Sequence, residues 1–456
     1  MSLSCCPASA TASLLLAIGL LAGCRRGTTD GVALVGATLI DGSGGPALPD
    51  AAIVVRNGRI ESVGTRAGFQ LPPRTAEVEL RGRWIIPGLI DAHAHVEPWA
   101  LPRYLAWGVT SVRDLHGSLD TILRLRDRVN RGAMPGPRIY SAGAMIDGLP
   151  TTYPDAIGAS SAREARKAVD RLVNSGVDLV KVYTRIDPTL LRAVVDEAKT
   201  FNLRVAGHLG MTSAAVAGAA GISSIEHLSG VPESCVPDAS SIMAAHYRGF
   251  FPGWTAFERS WAGLDSAALD RVATDLAREH VTMVPTLVLH DTFSRLDDPA
   301  MLQDTMLRAV PALQQQRWNV PDMVRRAGWT AAEFAAFRAA RPQQDLFLRR
   351  FAAAGGTIAA GTDASNQMLI PGYSEHREMA LLVHAGLSPR EALAAATRSG
   401  ALLLGVDSLG IIAPRKAADL VVLTRDPLAD IGNTLAIDRV MSRGVLFSAD
   451  SIRRSW

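Results

Sequence analysis

From Trp84 onward, short apolar runs alternate with longer stretches whose apolar positions recur at helical spacing. Strand-length apolar runs separated by amphipathic segments are what a parallel α/β sheet requires. The runs Ile85–Asp91, Val109–Asp114, Arg138–Ala142, Leu179–Tyr183, Arg204–His208, Ser224–His227, Thr282–Leu287 and Thr357–Gly361 predict strands, and Ala162–Asn174 and Thr189–Thr200 are the clearest predicted helices. Strand–helix units repeated in this way over residues 84–406 predict an α/β fold of the (β/α)8 TIM-barrel class. Two segments, Pro237–His280 and His290–Phe351, are longer than a plain unit needs and carry Arg, Ala and Leu at helical spacing. They predict extra helices near the barrel mouth.

Both ends of the chain have a different texture. Val32–Gly42, Ala52–Val55 and Ile60–Gly64 are β-type runs, with the hairpin pair Asn57-Gly58 between the last two. Gly410–Ile412, Asp419–Leu423 and Val440–Val445 repeat that texture near the C-terminus. Residues 31–83 and 407–456 are therefore expected to meet as one small β-sandwich beside the barrel.

Composition adds bounds. The chain has 456 residues, 48% of them hydrophobic, and a net charge of +3. That is ample for a large core, and the absence of a basic block argues against nucleic acid as a partner. Ala12–Leu21 is apolar but too short to span a bilayer. It reads as the hydrophobic part of an export signal covering residues 1–23. Leu21-Ala22-Gly23-Cys24 resembles the bacterial lipobox, which implies cleavage before Cys24 and lipid on its sulfur. No Lys or Arg precedes the apolar run, which departs from an ordinary export signal; the alternative is a plain buried helix. The expectation is an exported protein, lipid-anchored in a bacterial cell envelope at the periplasmic face or outer membrane. Cys5 and Cys6 would leave with the signal, so Cys235 stands alone and no intrachain disulfide forms.

The candidate chemistry sits at predicted strand ends, where α/β barrels build their sites. In Pro87-Gly88-Leu89-Ile90-Asp91-Ala92-His93-Ala94-His95, His93 and His95 are two apart on a strand and share a face. Lys181 lies inside an apolar strand on one face with Leu179 and Tyr183. Burial lowers a lysine's pKa and frees the amine to add to carbon dioxide, giving a carbamate whose two oxygens can bridge two cations. The bland reading is a lysine on an edge strand. His208 and His227 end the next two strands. Asp363, in Ala360-Gly361-Thr362-Asp363, is placed to bind a metal and take a proton from water, or else to cap a helix. Together these form a dinuclear site, with His93, His95, Lys181 and Asp363 on one ion and Lys181, His208 and His227 on the other. Zinc is the default for such donors, with manganese, iron and cobalt left open.

This ordered set resembles the amidohydrolase superfamily, closest to its imidazolonepropionase-like branch, which includes Xaa-Pro dipeptidases (prolidases). The phrases that carry the resemblance are Ile86-Pro87-Gly88-Leu89-Ile90-Asp91, Gly108–Asp114, Lys181-Val182-Tyr183, Gly207-His208, Ile225-Glu226-His227-Leu228, Ala360–Asp363 and Lys416–Val421. Pro414-Arg415-Lys416 lacks the glycine the family has there, at a turn remote from the chemistry. The resemblance implies two divalent metal ions, a carbamylated Lys181, and Asp363 as general base and acid. It also implies contact of Tyr183 with a substrate oxygen, the alternative being a core or rim aromatic. Lys181 argues against a true imidazolonepropionase, which works with one metal and no such lysine. His290 is expected to line the substrate pocket, and His376 and Glu378 to shape it. Arg113 and Asp114 read as a buried pair or cap, and His116, His246, His280 and His384 as structural. The expected activity is hydrolysis of an amide C–N bond in dipeptides, Xaa-Pro among them, or in N-acyl amino acids. Lactone, ester or cyclic-amide hydrolysis on the same site is the rival, and a non-catalytic binding lipoprotein the remote one. The substrate is a small molecule or dipeptide, and a homo-oligomer is left open.

Overall fold

The computed structural model describes residues 30–454 and Trp456; the expected signal 1–23 and Cys24 lie outside the described residues. Gly31–Leu39 pairs antiparallel with Leu48–Arg56, which turns through Asn57-Gly58 into Arg59–Thr65. Both turn residues have positive φ, 51° and 74°, as a tight hairpin of this twist demands. The first half of Gly31–Leu39 runs parallel to Thr75–Glu79, a strand not anticipated from the sequence, and its second half runs parallel to Trp84–Pro87. Leu420–Leu423, Ile437–Ser442 and Val445–Ser448 continue the same eight-stranded sheet. The two chain ends therefore meet in one branched sheet.

Several strand boundaries differ from expectation, each for a local reason. The run Ile85–Asp91 divides at Gly88. Trp84–Pro87 stays in the terminal sheet, while Leu89–Ala94 opens the parallel part. Gly88 N–H donates to Asp419 O at 2.8 Å, and a Cβ at this position would lie 2.1 Å from Thr110 Oγ1. Gly410–Ile412 is a loop, tied by Ile412 N–H to Asp41 O, rather than a strand. Val440–Val445 is interrupted by Arg443-Gly444, which turn at positive φ of 52° and 80° between the last two strands.

The middle of the chain is α/β with parallel strands. Leu89–Ala94, Val109–Asp114 and Arg138–Ser141 form a three-stranded parallel sheet. Ile146–Gly148, Ile157–Ala159, Val180–Val182, Val205–Gly207, Ser224–Glu226, Thr282–Val284 and Thr357–Ile358 form a seven-stranded one, the first two being unanticipated additions. Backbone bonds Ala92 N–H to Ala360 O (2.9 Å) and His95 N–H to Ala364 O (2.5 Å) join the two sheets on one flank. Asp178 N–H to Ser141 O (2.9 Å) joins them on the other. The expected strand Thr282–Leu287 stops at Val284, because Thr286 turns at φ 47° and Leu287 opens the helix Leu287–Phe293.

The helices on the outside follow local signals. Ala162–Ser175 starts on a Ser161 cap and stops at Gly176 with φ 80°; Pro188–Thr200 starts on Asp187, whose side chain accepts from two backbone N–H groups. Their buried faces are the Ala, Val and Leu positions spaced three and four apart. The two long insertions are helical as expected: Ser240–Arg248, Phe250–Trp261 and Ser266–Arg278 in one, and Leu287–Phe293 through Ala331–Ala353 in the other. They bury a second apolar cluster of their own, which includes Trp254, Phe293, Trp329 and Phe337. Among the described residues no helix is long and apolar enough to cross a membrane.

His376 and Glu378 do not shape the pocket. Glu378 is buried and accepts from Val288 N–H at 2.7 Å. His376 is buried where the helix Tyr373–His384 meets the C-terminal segment, with Nδ1 2.9 Å from Thr434 Oγ1 and Nε2 2.8 Å from Trp107 O. Burial lowers its pKa from 6.5 to about 4. Between those values the unfolded chain binds a proton that the folded chain refuses, so stability rises with pH across that window. This group alone is expected to cost about 3 kcal/mol as the pH falls through it. Denaturant titrations near pH 7 and pH 4.5 should show a smaller loss for His376→Gln than for the parent; an equal loss would refute the assignment.

Candidate metal centre

The site begins on Leu89–Ala94, a strand buried along its whole length. Alternation puts Asp91, His93 and, just past the strand, His95 on one face. Asp91 accepts from His93 N–H (3.1 Å), Thr362 N–H (3.0 Å) and Thr362 Oγ1 (2.6 Å). It thereby ties the first parallel strand to the segment that carries Asp363. Burial raises its carboxyl to about 7 against the pull of those donors.

His93 is fixed from behind. Its Nδ1 lies 2.7 Å from Glu226 Oε2, and Glu226 Oε1 accepts from Arg113 Nη2 at 2.8 Å. Arg113, Glu226 and His93 are each 1% exposed or less. Burial would raise the Glu226 carboxyl, but the charge of Arg113 and the His93 contact overcome it and hold it at about 2. The expected Arg113–Asp114 pair is not formed in this way: Arg113 faces Glu226, while Asp114 accepts from Val96 N–H and Ser141 Oγ.

With Nδ1 committed, His93 Nε2 faces Asp363 Oδ1 at 3.1 Å, and His95 Nε2 meets the same oxygen at 2.9 Å. Asp363 Oδ2 accepts from Asn366 Nδ2 at 2.8 Å. Burial works against the charge on Asp363, yet the two histidines hold its carboxyl well below the usual range. No helix begins beside Asp363, so the capping alternative is not realised; its backbone instead donates to His93 O at 2.7 Å. Ligand atoms of His93, His227 and Asp363 lie within 4.8 Å of one another, a geometry that can hold a divalent ion. This grouping crosses the two sets expected from the sequence, since His227 stands with His93 and Asp363.

A row of rings continues the site. The His93 and His227 centroids are 4.4 Å apart, His227 and His208 4.6 Å, and His208 and Tyr183 4.8 Å. Burial, reinforced by neighbouring positive groups, keeps His208 and His227 well below the usual histidine range. Neutral imidazole is the form that ligates metal. Lys181 projects into the same cavity, is 2% exposed, and its Nζ has no hydrogen-bond partner. Burial lowers its pKa to about 8 although Glu226 and Asp363 pull the other way. Tyr183 also lines the cavity, about 520 Å³ in volume, beside Tyr153.

His290 does not line this cavity. Its ring is buried behind His227, stacked on Trp254, with Nδ1 2.5 Å from Glu258 Oε1 and Nε2 3.2 Å from His227 O. It holds the main chain of His227, which turns at φ 60°. His116, read as structural, does line the cavity, with Nε2 3.0 Å from Asp155. Cys235 is a half-buried free thiol whose pKa burial pushes up to about 12, in keeping with an unreactive role. Asp91, Glu226, Asn366 and the cavity wall were not singled out from the sequence. A usable signal existed for the first two, since a charge inside an apolar strand asks for a buried partner.

Replacing His290 with Ala leaves the His227 carbonyl without its buried donor and strips the Glu258 carboxylate of one of two, Gln344 remaining on the other oxygen. A loss of roughly 1–3 kcal/mol in stability is expected, together with weaker retention of divalent metal on dialysis against chelator. Unchanged melting temperature and metal content in that variant would show that His227 needs no such support.

The Amidohydrolase family profile matches residues 84–447. The chain is 23% identical over 409 residues to the imidazolonepropionase of Deinococcus deserti, covering 86% of this chain and 90% of that one. A shorter match, 40% identical over 60 residues, links it to an adenine deaminase of Rubrobacter xylanophilus and spans only 10% of that relative's length. Among solved structures it superposes on bottromycin amidohydrolase with TM-score 0.72 and 25% identity, over 95% of this chain and 90% of the other. It superposes on a Xaa-Pro dipeptidase with methionine bound in its active site with TM-score 0.67 and 22% identity, over 92% of this chain and 100% of the other. The chain belongs to the amidohydrolase family.

Proposed function

We propose that this is a metal-dependent hydrolase of small amides, cleaving dipeptides, Xaa-Pro among them, or N-acyl amino acids. The observation that carries this reading is the Lys181 amine, buried beside ligating histidines and left without a hydrogen-bond partner. A buried amine with nothing to donate to is costly as it stands. Addition to carbon dioxide, forming an N–C bond with release of a proton, turns it into an anion with two oxygen donors. His93, His95, Asp363 and the carboxylated Lys181 would then hold one divalent cation, and Lys181, His208 and His227 a second. Bound there, two such cations, zinc first among them, would supply Lewis acidity toward a water and the scissile carbonyl.

The chain's own proton carrier is Asp363. Its Oδ1 faces the histidines, and its Oδ2, aligned by Asn366, takes the proton of the attacking water and returns it to the leaving nitrogen. The C–N bond breaks as that nitrogen gains the proton, leaving an acid and an amine. Hydrolysis of a cyclic amide is the second reading, favoured by the match to imidazolonepropionase over most of both chains; Lys181 argues for the first.

The finer architecture belongs to the same proposal. We read the two parallel sheets, joined on both flanks, as one (β/α)8 barrel, and the branched terminal sheet as the small β-sandwich. The Leu21–Cys24 sequence supports export and a lipid anchor on Cys24. Replacement of Cys24 by Ser is expected to move the protein from the membrane fraction into the soluble one; no change in partition would remove the anchor.

Metal content per chain, measured on protein without the anchor, tests the centre. Two ions are expected in the parent and at most one after Lys181→Ala; a count indifferent to that change would make Lys181 structural. For Asp363→Asn, turnover of a dipeptide library is expected to fall by at least about 100-fold with one metal or more retained. Undiminished turnover would end the role assigned to Asp363.

A further inference from the structure

The cavity above the centre has two unlike ends. Its floor carries the imidazoles, Lys181 and Asp363, whereas much of its outer wall comes from the inserted helices. Phe250 and Phe251 open Phe250–Trp261, Leu289 and Phe293 lie on Leu287–Phe293, and Met323 and Arg326 lie on Val320–Ala327. The Phe250 ring is 6.4 Å from His208, so the apolar wall starts at the metal-ligating residues themselves.

Met323 and Arg326 are three residues apart on one helix and share a face. Met323 is 4% exposed and the Arg326 side chain 64%, so this helix points a thioether inward and a guanidinium at the rim. Asp322 pairs with both Arg325 and Arg326, its contact with Arg326 Nε being 2.9 Å. One carboxylate against two guanidiniums leaves the rim with an uncompensated positive charge. The terminal nitrogens of Arg326 have no partner among the described residues, and two adjacent N–H groups suit a carboxylate. A cavity of about 520 Å³ falls in the range that encloses drug-sized ligands, and a small side chain would leave its apolar wall against water.

We propose that the cavity selects amides bearing a large apolar or aromatic group together with a free carboxylate, the carboxylate on Arg326 and the apolar group against Phe250, Phe251, Leu289, Phe293 and Met323. The substrate class is thus an N-acyl amino acid or dipeptide with a bulky apolar residue rather than a small one. This rests on the amide-hydrolase reading above. Arg326 is here a specificity residue and takes no part in bond breaking.

The test uses N-acetyl-L-phenylalanine, its C-terminal carboxamide and the matching alanine compound, with release of acetate from the acyl C–N bond and equilibrium binding both measured. The parent is expected to favour the carboxylate over the carboxamide by roughly tenfold, through KM rather than kcat, and phenylalanine over alanine by roughly tenfold or more. Arg326→Gln should collapse the first preference, chiefly by raising KM for the carboxylate, and keep the preference for phenylalanine over alanine. Arg326→Glu should reverse the first. Hydrolysis with neither preference, or preferences that Arg326→Gln leaves intact, would overturn the inference while the amide-hydrolase reading stands. If no compound is hydrolysed but the carboxylate still binds more tightly in an Arg326-dependent way, the inference stands and the hydrolase reading falls. Absence of both hydrolysis and selective binding would overturn the inference.

Discussion

The buried carboxylate of Glu226 sets the rest of the centre. A charge in that position is tolerated only with partners, and it has Arg113 on one oxygen and His93 on the other. Arg113 is also consumed there, since its remaining nitrogens reach Ala92 O and Ser224 Oγ. Because Glu226 takes the Nδ1 side of His93, the Nε2 side is the one presented to Asp363. A line of paired groups, Arg113, Glu226, His93 and Asp363, thus runs from the middle of the parallel strands to the base of the cavity. Removing one member would strand the others without water, which is why this line behaves as a unit.

The inserted helices are part of that unit. They form the outer wall of the cavity, and through Glu258 and His290 they also reach under it to the carbonyl of His227. Gln344, on the long helix Ala331–Ala353, donates to Glu258 and closes the connection. The helices that wall the cavity therefore also bear on the position of His227. Changes at the cavity wall and changes in the placement of His227 are not independent in such an arrangement.

The parts legible in the sequence are those fixed by local rules. The spacing of His93 and His95 defines a shared face on any strand, and the helices at 162–175 and 188–200 carry their own caps, so their ends fall within a residue of expectation. Lys181 was legible because a charge in an apolar strand is costly. The same argument applied to Arg113, Glu226 and Asp91 would have predicted the network beneath His93; only their mutual pairing needs the fold. His290 shows the opposite case. Its place after the seventh strand suggests the cavity, but Thr286 bends the chain at φ 47° and the helix that follows carries the ring behind His227. Direction set by one left-handed residue is invisible to periodicity. The division at Gly88 was likewise hidden, because the apolar run continues across two sheets that only tertiary pairing separates.

The backbone bonds from Ala92 to Ala360 and from His95 to Ala364 join parts of the chain far apart in sequence, directly below Asp363. During synthesis, Leu89–Ala94 emerges long before its neighbour Thr357–Ile358 exists. Until then one side of that strand is an open edge beside an apolar surface, the kind of element that recruits foreign strands. Asp363 has not been made by then either, so the cluster of His93, His95 and Asp363 is still incomplete. Closure of that edge therefore waits for the last of the parallel strands.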